Sequence, residues 1–302
     1  MTFRINESSI TYDNAEYPLD NWISRGGFAE IFAINHPSKG KVVVKKFHDF
    51  LSPRALNTAI NGYKTRTRHT EIGPETLIYP LRGDLPRGIA YLYVEGQTMD
   101  SYIRVSAPIG QKITEIRQMI QKTMEKLEKI IGHGVVHRDI KDSNLLLKPD
   151  GDINLLDFDT LTESHEPRDE DWNVGTPYFM SPEHWIGANS PSMDVFSLAI
   201  TGLNILNDTD TLKRLGMYWC PGQNELETTR IDNSKVIDKK VPIILNMDLY
   251  PEDIRTEIYG LLRFCIEALQ FDPQRRPITA ETTRQLLAMT PPKTTYTGPS
   301  TF

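Results

Sequence analysis

The chain has 302 residues, 39% hydrophobic and 25% charged, with 34 Lys and Arg against 40 Asp and Glu for a net charge of −6. That length supplies two lobes or two modest domains, and the acidic balance argues against a general nucleic-acid binder, whose footprint is basic. Cys220 and Cys265 are too few and too separated for a disulfide or zinc framework, which indicates a reducing compartment. No run reaches the roughly 18 apolar residues of a membrane span, and Met1-Thr2-Phe3-Arg4 leads into a polar segment rather than a signal peptide. A cytoplasmic protein without a membrane or nucleic-acid partner is expected.

In chain order, Ser8 to Tyr12 and Tyr17 to Ile23 predict strands around a turn at Asp13-Asn14. Phe28 to Ile34 alternates, and Lys41-Val42-Val43-Val44-Lys45 is β-branched. One helix interrupts the strands: Ser52 suits an N-cap, Pro53 the first helical position, and Ala55, Leu56, Ala59, Ile60 and Tyr63 recur at helical spacing. Ile89 to Gly96 reads as a core strand ending in a Gly turn, after which the chain becomes helical. Ile113, Ile116, Ile120, Leu127, Ile130 and Ile131 form one apolar helix face. Val195 to Leu206 is apolar almost all round, the pattern of a helix buried in the centre of a lobe. Thr290 to Phe302, rich in Thr and Pro, reads as a disordered tail.

The chemistry is concentrated in His137-Arg138-Asp139-Ile140-Lys141-Asp142-Ser143-Asn144 and in Asp157-Phe158-Asp159. Together they set a carboxylate, a lysine two residues on, an amide and a second carboxylate at the spacing phosphoryl transfer needs. Asp139 can accept or orient a substrate hydroxyl, Lys141 can neutralise the transferred phosphoryl group, and Asn144 and Asp157 can hold Mg2+, with Mn2+ as a substitute.

Read as H-R-D-x-K-x-x-N plus D-F-x, the pair resembles the catalytic core of the eukaryotic-type (Hanks-type) serine/threonine protein kinase family. Further stretches resemble that family in order. Ile23-Ser24-Arg25-Gly26-Gly27-Phe28-Ala29-Glu30-Ile31 is similar to its glycine-rich loop, although a two-glycine turn alone reads as a hairpin. Lys45 is similar to the strand lysine that grips ATP phosphates, with Val43 on the same face. Gly175 to Glu183, Asp194 to Ala199 and Asp272 to Pro277 resemble the end of the activation segment, the start of the central helix and the D-P-x-x-R-P element. Together these motifs cover roughly residues 10 to 288.

The resemblance implies a bilobal α+β protein-kinase fold: a small β-rich N-lobe with one main helix over residues 1–93, a larger helical C-lobe over 94–289, and a tail over 290–302. It implies ATP bound by Ile23, Ser24, Gly26, Gly27, Phe28, Ala29, Ile31, Lys45, Tyr91 as gatekeeper, Leu92 and Val94, metal held by Asn144 and Asp157, and catalysis by Asp139, Lys141 and Lys45. Lys141 and Thr176 fit the Ser/Thr pattern, with Thr176 bonding both Asp139 and Lys141, and Asp194 and Glu183 would brace the catalytic loop and pair with Arg276. The expected partners are a protein substrate and a regulatory protein, with a small ligand or autophosphorylation as other routes of control. Arg138 would bind phosphate on the activation segment, whose hydroxyls are Thr160, Thr162, Ser164 and Thr176. Acidic residues of that segment, from Glu163 to Asp171, would dock on Arg138 or the basic helix end at Lys64, Arg66, Arg68 and His69; the plainer account is two solvated charge runs.

Two departures stand out. Asp159 replaces the family's glycine, which is read as tolerance of left-handed backbone or else as an added carboxylate near the metal. The helix lacks the glutamate that should pair with Lys45: its expected place falls at Tyr63 or Lys64, and Glu71 could serve only if the helix shifts. The alternative to an enzyme is therefore a pseudokinase or nucleotide-binding scaffold. A small-molecule phosphotransferase of the aminoglycoside-kinase type is disfavoured by the S-P-E and D-P-x-x-R-P elements.

Overall fold

The computed structural model describes residues 3–5, 8–12, 15–19, 21–36, 40–69, 88–102, 108–165, 174–185, 187–206 and 250–291. The turn expected at Asp13-Asn14, Glu71, the acidic run from Glu166 to Asp171, Cys220 and most of the expected tail lie outside them.

The N-terminal lobe is built on an antiparallel sheet of β4 (Asn21–Arg25), β5 (Ala29–His36), β6 (Gly40–Phe47) and β7 (Gly88–Leu92), in that order. Its register puts Ile31 opposite Lys45 and Lys45 opposite Ile89, so all three share a face; the next rung of that face is Ala33, Val43 and Tyr91. The other face carries Phe32, Ile34, Val42, Val44 and Ala90. It is covered by Ile10 and Tyr17 from a second sheet, β1 (Phe3–Ile5), β2 (Ser9–Tyr12) and β3 (Ala15–Pro18), and by Leu19 just after it. The single strand expected from Tyr17 to Ile23 is thus two strands in different sheets. Pro18 has no N–H to continue a ladder, and Leu19 N–H donates instead to Ser8 O at 2.8 Å.

Helix α1 (Pro53–Arg68) starts as the sequence predicts: Ser52 accepts from Ala55 N–H, and Pro53 occupies the first turn, where its missing N–H costs nothing. After β7 the chain crosses into the helical lobe through residues 93–96. There β8 (Gln97–Thr98) pairs with β10 (Leu145–Leu147), which pairs with β11 (Ile153–Leu155); β9 (Val135–Val136) pairs with β12 (Thr162–Glu163). Short α2 (Met99–Tyr102) precedes α3 (Ile109–Gly132), which buries Ile113, Ile116, Ile120, Leu127 and Ile130 and leaves Ile131 only partly covered. α4 (Pro182–Trp185) leads to α5 (Met193–Leu206), buried on nearly every side as its composition predicts, and to α6 (Arg255–Ala268) and α7 (Ala280–Leu287). One apolar core joins the lobes, running from Phe47, Tyr63 and Ile89 through Phe158 to α3, α5 and α6.

Candidate active site

The catalytic loop is clamped from behind. Asp194, fully buried at the start of α5, accepts from His137 N–H at 2.7 Å and Arg138 N–H at 2.8 Å. Burial pushes the Asp194 carboxyl upward in pKa, against the pull of His137 and those two N–H groups. The clamp holds Arg138 at φ 69°, a left-handed conformation unfavourable for a long side chain. Gly175, at φ 106°, passes so close that a Cβ there would lie 2.5 Å from Arg138 O. Arg138 Nε donates to Thr160 O at 2.6 Å, and Thr160 Oγ1 donates to His137 O at 2.6 Å. The buried Thr160 hydroxyl is therefore occupied within the fold, and Arg138 meets this segment through a backbone carbonyl.

The loop then presents a fixed carboxylate. Asp139 Oδ2 accepts from Lys141 Nζ at 2.8 Å and Asn144 Nδ2 at 2.9 Å; Oδ1 accepts from Thr176 Oγ1 at 2.6 Å. Lys141 Nζ also donates to Thr176 Oγ1 at 2.7 Å, closing a ring of three side chains. Asn144 Nδ2 donates in addition to Asp139 O, which commits the amide nitrogen to that side and orients Oδ1 as the remaining donor atom to a metal. β10 and β11 bring Asn144 beside Asp157, because Leu145 is paired with Leu155 and Leu156 N–H donates to Asn144 O. One carboxylate and one amide oxygen are hard ligands that suit Mg2+ completed by phosphate and water.

Lys45 is the centre of a second charge cluster, formed with the 157–159 turn. It is 4% exposed, with Nζ 2.6 Å from Asp157 Oδ1 and 2.6 Å from Asp159 Oδ2. The first is a hydrogen bond, the second a charge contact lacking hydrogen-bond alignment. Burial penalises the ammonium, but the two carboxylates overcome it and hold Lys45 above its ordinary pKa. Burial likewise opposes ionisation of Asp157, and Lys45 reverses this, leaving its pKa low. Asp159 is pushed up to about 7 by burial and by the Asp157 charge, only partly relieved by Lys45.

One sequence reading of Asp159 needs correction. The left-handed residue is Asp157, at φ 64°; among the described residues only Arg138 and Asp157 combine a side chain with positive φ. The Asp159 carboxylate itself meets Lys45, the same ammonium that Asp157 holds. α1 carries no acid, and Tyr63 occupies the place of the missing glutamate, its ring centroid 6.0 Å from Lys45 Nζ, stacked on Tyr91 and edge-on to Phe158. Gly62 makes this approach achievable, since a Cβ there would lie 2.1 Å from Phe158 O. A glycine inside a helix, costing about 1 kcal/mol relative to alanine, was the available signal for such a contact.

The remaining sequence-predicted residues cluster around this centre. Ile23, Ser24, Gly26 and Gly27 are exposed at the β4–β5 turn, Phe28 is half-buried and Ala29 is buried, and the turn is closed by Gly26 N–H to Ala29 O at 2.9 Å. His48 Nε2 lies 2.9 Å from Gly26 O, a hydrogen bond that requires the Nε2–H tautomer. Leu92 ends β7, and Val94 lies in the crossing between lobes, where Tyr93 N–H donates to Lys41 O. In the C-lobe, Arg276 grips Glu183 through 2.5 and 2.8 Å bonds, the pair that the sequence resemblance implies. Glu163 reaches Arg68 of α1 at 3.0 Å, a surface pair with the Arg68 side chain 62% exposed, as the plainer expectation of solvated charge runs allows.

A strand lobe and a helical lobe closing on a lysine, two metal-competent oxygens and a clamped aspartate define the protein-kinase class. Residues 17–287 match the family described as protein kinase domain, and the chain belongs to that family. It is 31% identical over 185 residues to serine/threonine-protein kinase pakA of Dictyostelium discoideum, covering 60% of this chain and 15% of that protein. It is 25% identical to a probable serine/threonine-protein kinase of the same organism, covering 88% and 50%, and 28% identical to serine/threonine-protein kinase F of a Synechocystis strain, covering 61% and 42%. The chain thus spans half or less of the length of these relatives.

Proposed function

We propose that this chain is an ATP- and Mg2+-dependent protein serine/threonine kinase, transferring the γ-phosphoryl group of ATP to a Ser or Thr hydroxyl of a protein, its own chain included. The observation that carries this reading is the state of Asp139. Of the four acceptor positions on its carboxylate, three are taken by Lys141, Asn144 and Thr176, which leaves one on Oδ1 among the described residues. A substrate hydroxyl donating there would be aligned by a carboxylate that cannot rotate, and its proton would pass to Asp139 Oδ1. Lys141 lies beside that position and would offset charge on the transferred group, while Lys45 would bind the ATP phosphates. Mg2+, held by Asn144 Oδ1 and Asp157, would supply charge neutralisation to the β- and γ-phosphate oxygens when bound. The β4–β5 turn, Ile31, Tyr91, Leu92 and Val94 would enclose the rest of the nucleotide.

The N-lobe through residue 93 and the C-lobe through 289 act here as nucleotide-binding and catalytic halves. A cytoplasmic location, a protein substrate and a regulatory protein belong to the same reading; among the described residues no helix is long and apolar enough to cross a membrane.

Incubation with γ-labelled ATP and Mg2+, beside Asp139→Asn, tests the reading. Label in phosphoserine or phosphothreonine, reduced roughly 10²–10⁴-fold in the variant, is the expected result. Intact ATP binding with no incorporation would favour the scaffold; phosphotyrosine alone would overturn the acceptor class.

A further inference from the structure

We propose that Asp159 is the positioning residue for Lys45, doing from the 157–159 turn what the helix glutamate does in the family pattern. The inference rests on the nucleotide-binding role of Lys45 proposed above. Four observations carry it. α1 offers no carboxylate from Pro53 to Arg68, and its approach to the site is already filled by Gly62 and Tyr63. Asp159 is 2% exposed, where a charged carboxylate is tolerated only beside a cation; Lys45 Nζ stands 2.6 Å away. The two carboxylates at Lys45 are not equivalent: the Asp157 side chain is 36% exposed, open towards the cleft, whereas that of Asp159 is 3% exposed. With Asp157 engaged by metal, Asp159 is the carboxylate left among the described residues to hold the ammonium. Finally, Phe158 O, one residue before Asp159, is the atom on which Gly62 rests, and the Arg66 guanidinium lies 5.6 Å from the Phe158 ring, so α1 supports the turn by packing and a cation rather than by a carboxylate.

The consequence is specific to this chain. Lys45 is oriented by the same short turn that carries the proposed metal ligand Asp157, so its placement does not depend on a carboxylate supplied by α1.

The test is a double-mutant cycle on the full chain with Lys45→Met, Asp159→Asn and the pair, reading affinity for a fluorescent non-hydrolysable ATP analogue with Mg2+, with thermal melting as a folding control. Asp159→Asn is expected to weaken the analogue roughly tenfold in the unaltered background and little once Lys45 is gone. Asp159→Glu should recover part of the affinity. Should Asp159→Asn fail to fold, Asp159→Gly, the family's residue, supplies the same cycle. Equal losses in both backgrounds, no loss in either, or no binding by the unaltered chain would overturn the proposal. Coupling without phosphoryl transfer would refute the kinase reading and leave Asp159 in its role; transfer without coupling would do the reverse.

Discussion

Two buried charge clusters, one within the C-lobe and one where the N-lobe lysine meets C-lobe carboxylates, are built on opposite plans. In the C-lobe, Arg276 is fully enclosed, and each of its five N–H donors has an acceptor: Glu183 twice, Gln270 O, Phe271 O and Ser192 O, with the guanidinium 5.1 Å from the Phe196 ring. In the N-lobe, Lys45 sits between two carboxylates, one partly open to the cleft and the other poorly aligned for hydrogen bonding. The first cluster is saturated and specifies structure. The second is unsaturated, as a site must be when a ligand is to take over some of its contacts.

The largest effect should come from opening the saturated cluster. Arg276→Met leaves Glu183 buried without its cation, and loss of one partner of such a pair costs about 3–5 kcal/mol; denaturant unfolding should show it. Next is His184, buried beside Arg138, where burial first and the Arg138 charge second lower its pKa to about 4. The unfolded chain binds a proton near pH 6.5 that the folded chain refuses. The stability linked to this group is therefore full above about 6.5 and lost as pH falls towards 4, about 3 kcal/mol in all. Melting of His184→Gln across that window should show a flatter pH dependence than the parent.

Gly62→Ala probes the support of the unsaturated cluster. Alanine gains about 1 kcal/mol of helix propensity, but the clash is with backbone oxygen, and overpacking of this kind costs about 1–3 kcal/mol. A lower melting temperature together with weaker nucleotide binding is expected. The smallest effect belongs to Arg68→Ala: its pair with Glu163 is at the surface, with the Arg68 side chain 62% exposed, and such pairs contribute about 0–1 kcal/mol. Melting should move little, and any shift should vanish in high salt.

The same contrast separates what the sequence made legible from what it did not. The Arg276–Glu183 pair, the Asp194 clamp and the Asp139–Lys141–Thr176 ring follow from motifs that keep the family's residues, so identity alone predicts the contact. The strand register placing Lys45 with Val43 followed from period-2 alternation. Asp159 was illegible because its role depends on the left-handed turn at Asp157, which sends side chains 157 and 159 to one lysine; no periodicity encodes that. The outer sheet was half seen, since strand propensity over residues 17–23 did not show that Pro18 would divide them between two ladders.

A crystal structure of the full chain with Mg2+ and a non-hydrolysable ATP analogue tests the central claim most directly. The account predicts Lys45 Nζ still against the Asp159 carboxylate, with Asp157 drawn to the metal and no acid from α1 nearby. Lys45 turned to Glu71 or another carboxylate, with Asp159 facing away from it, would contradict the account.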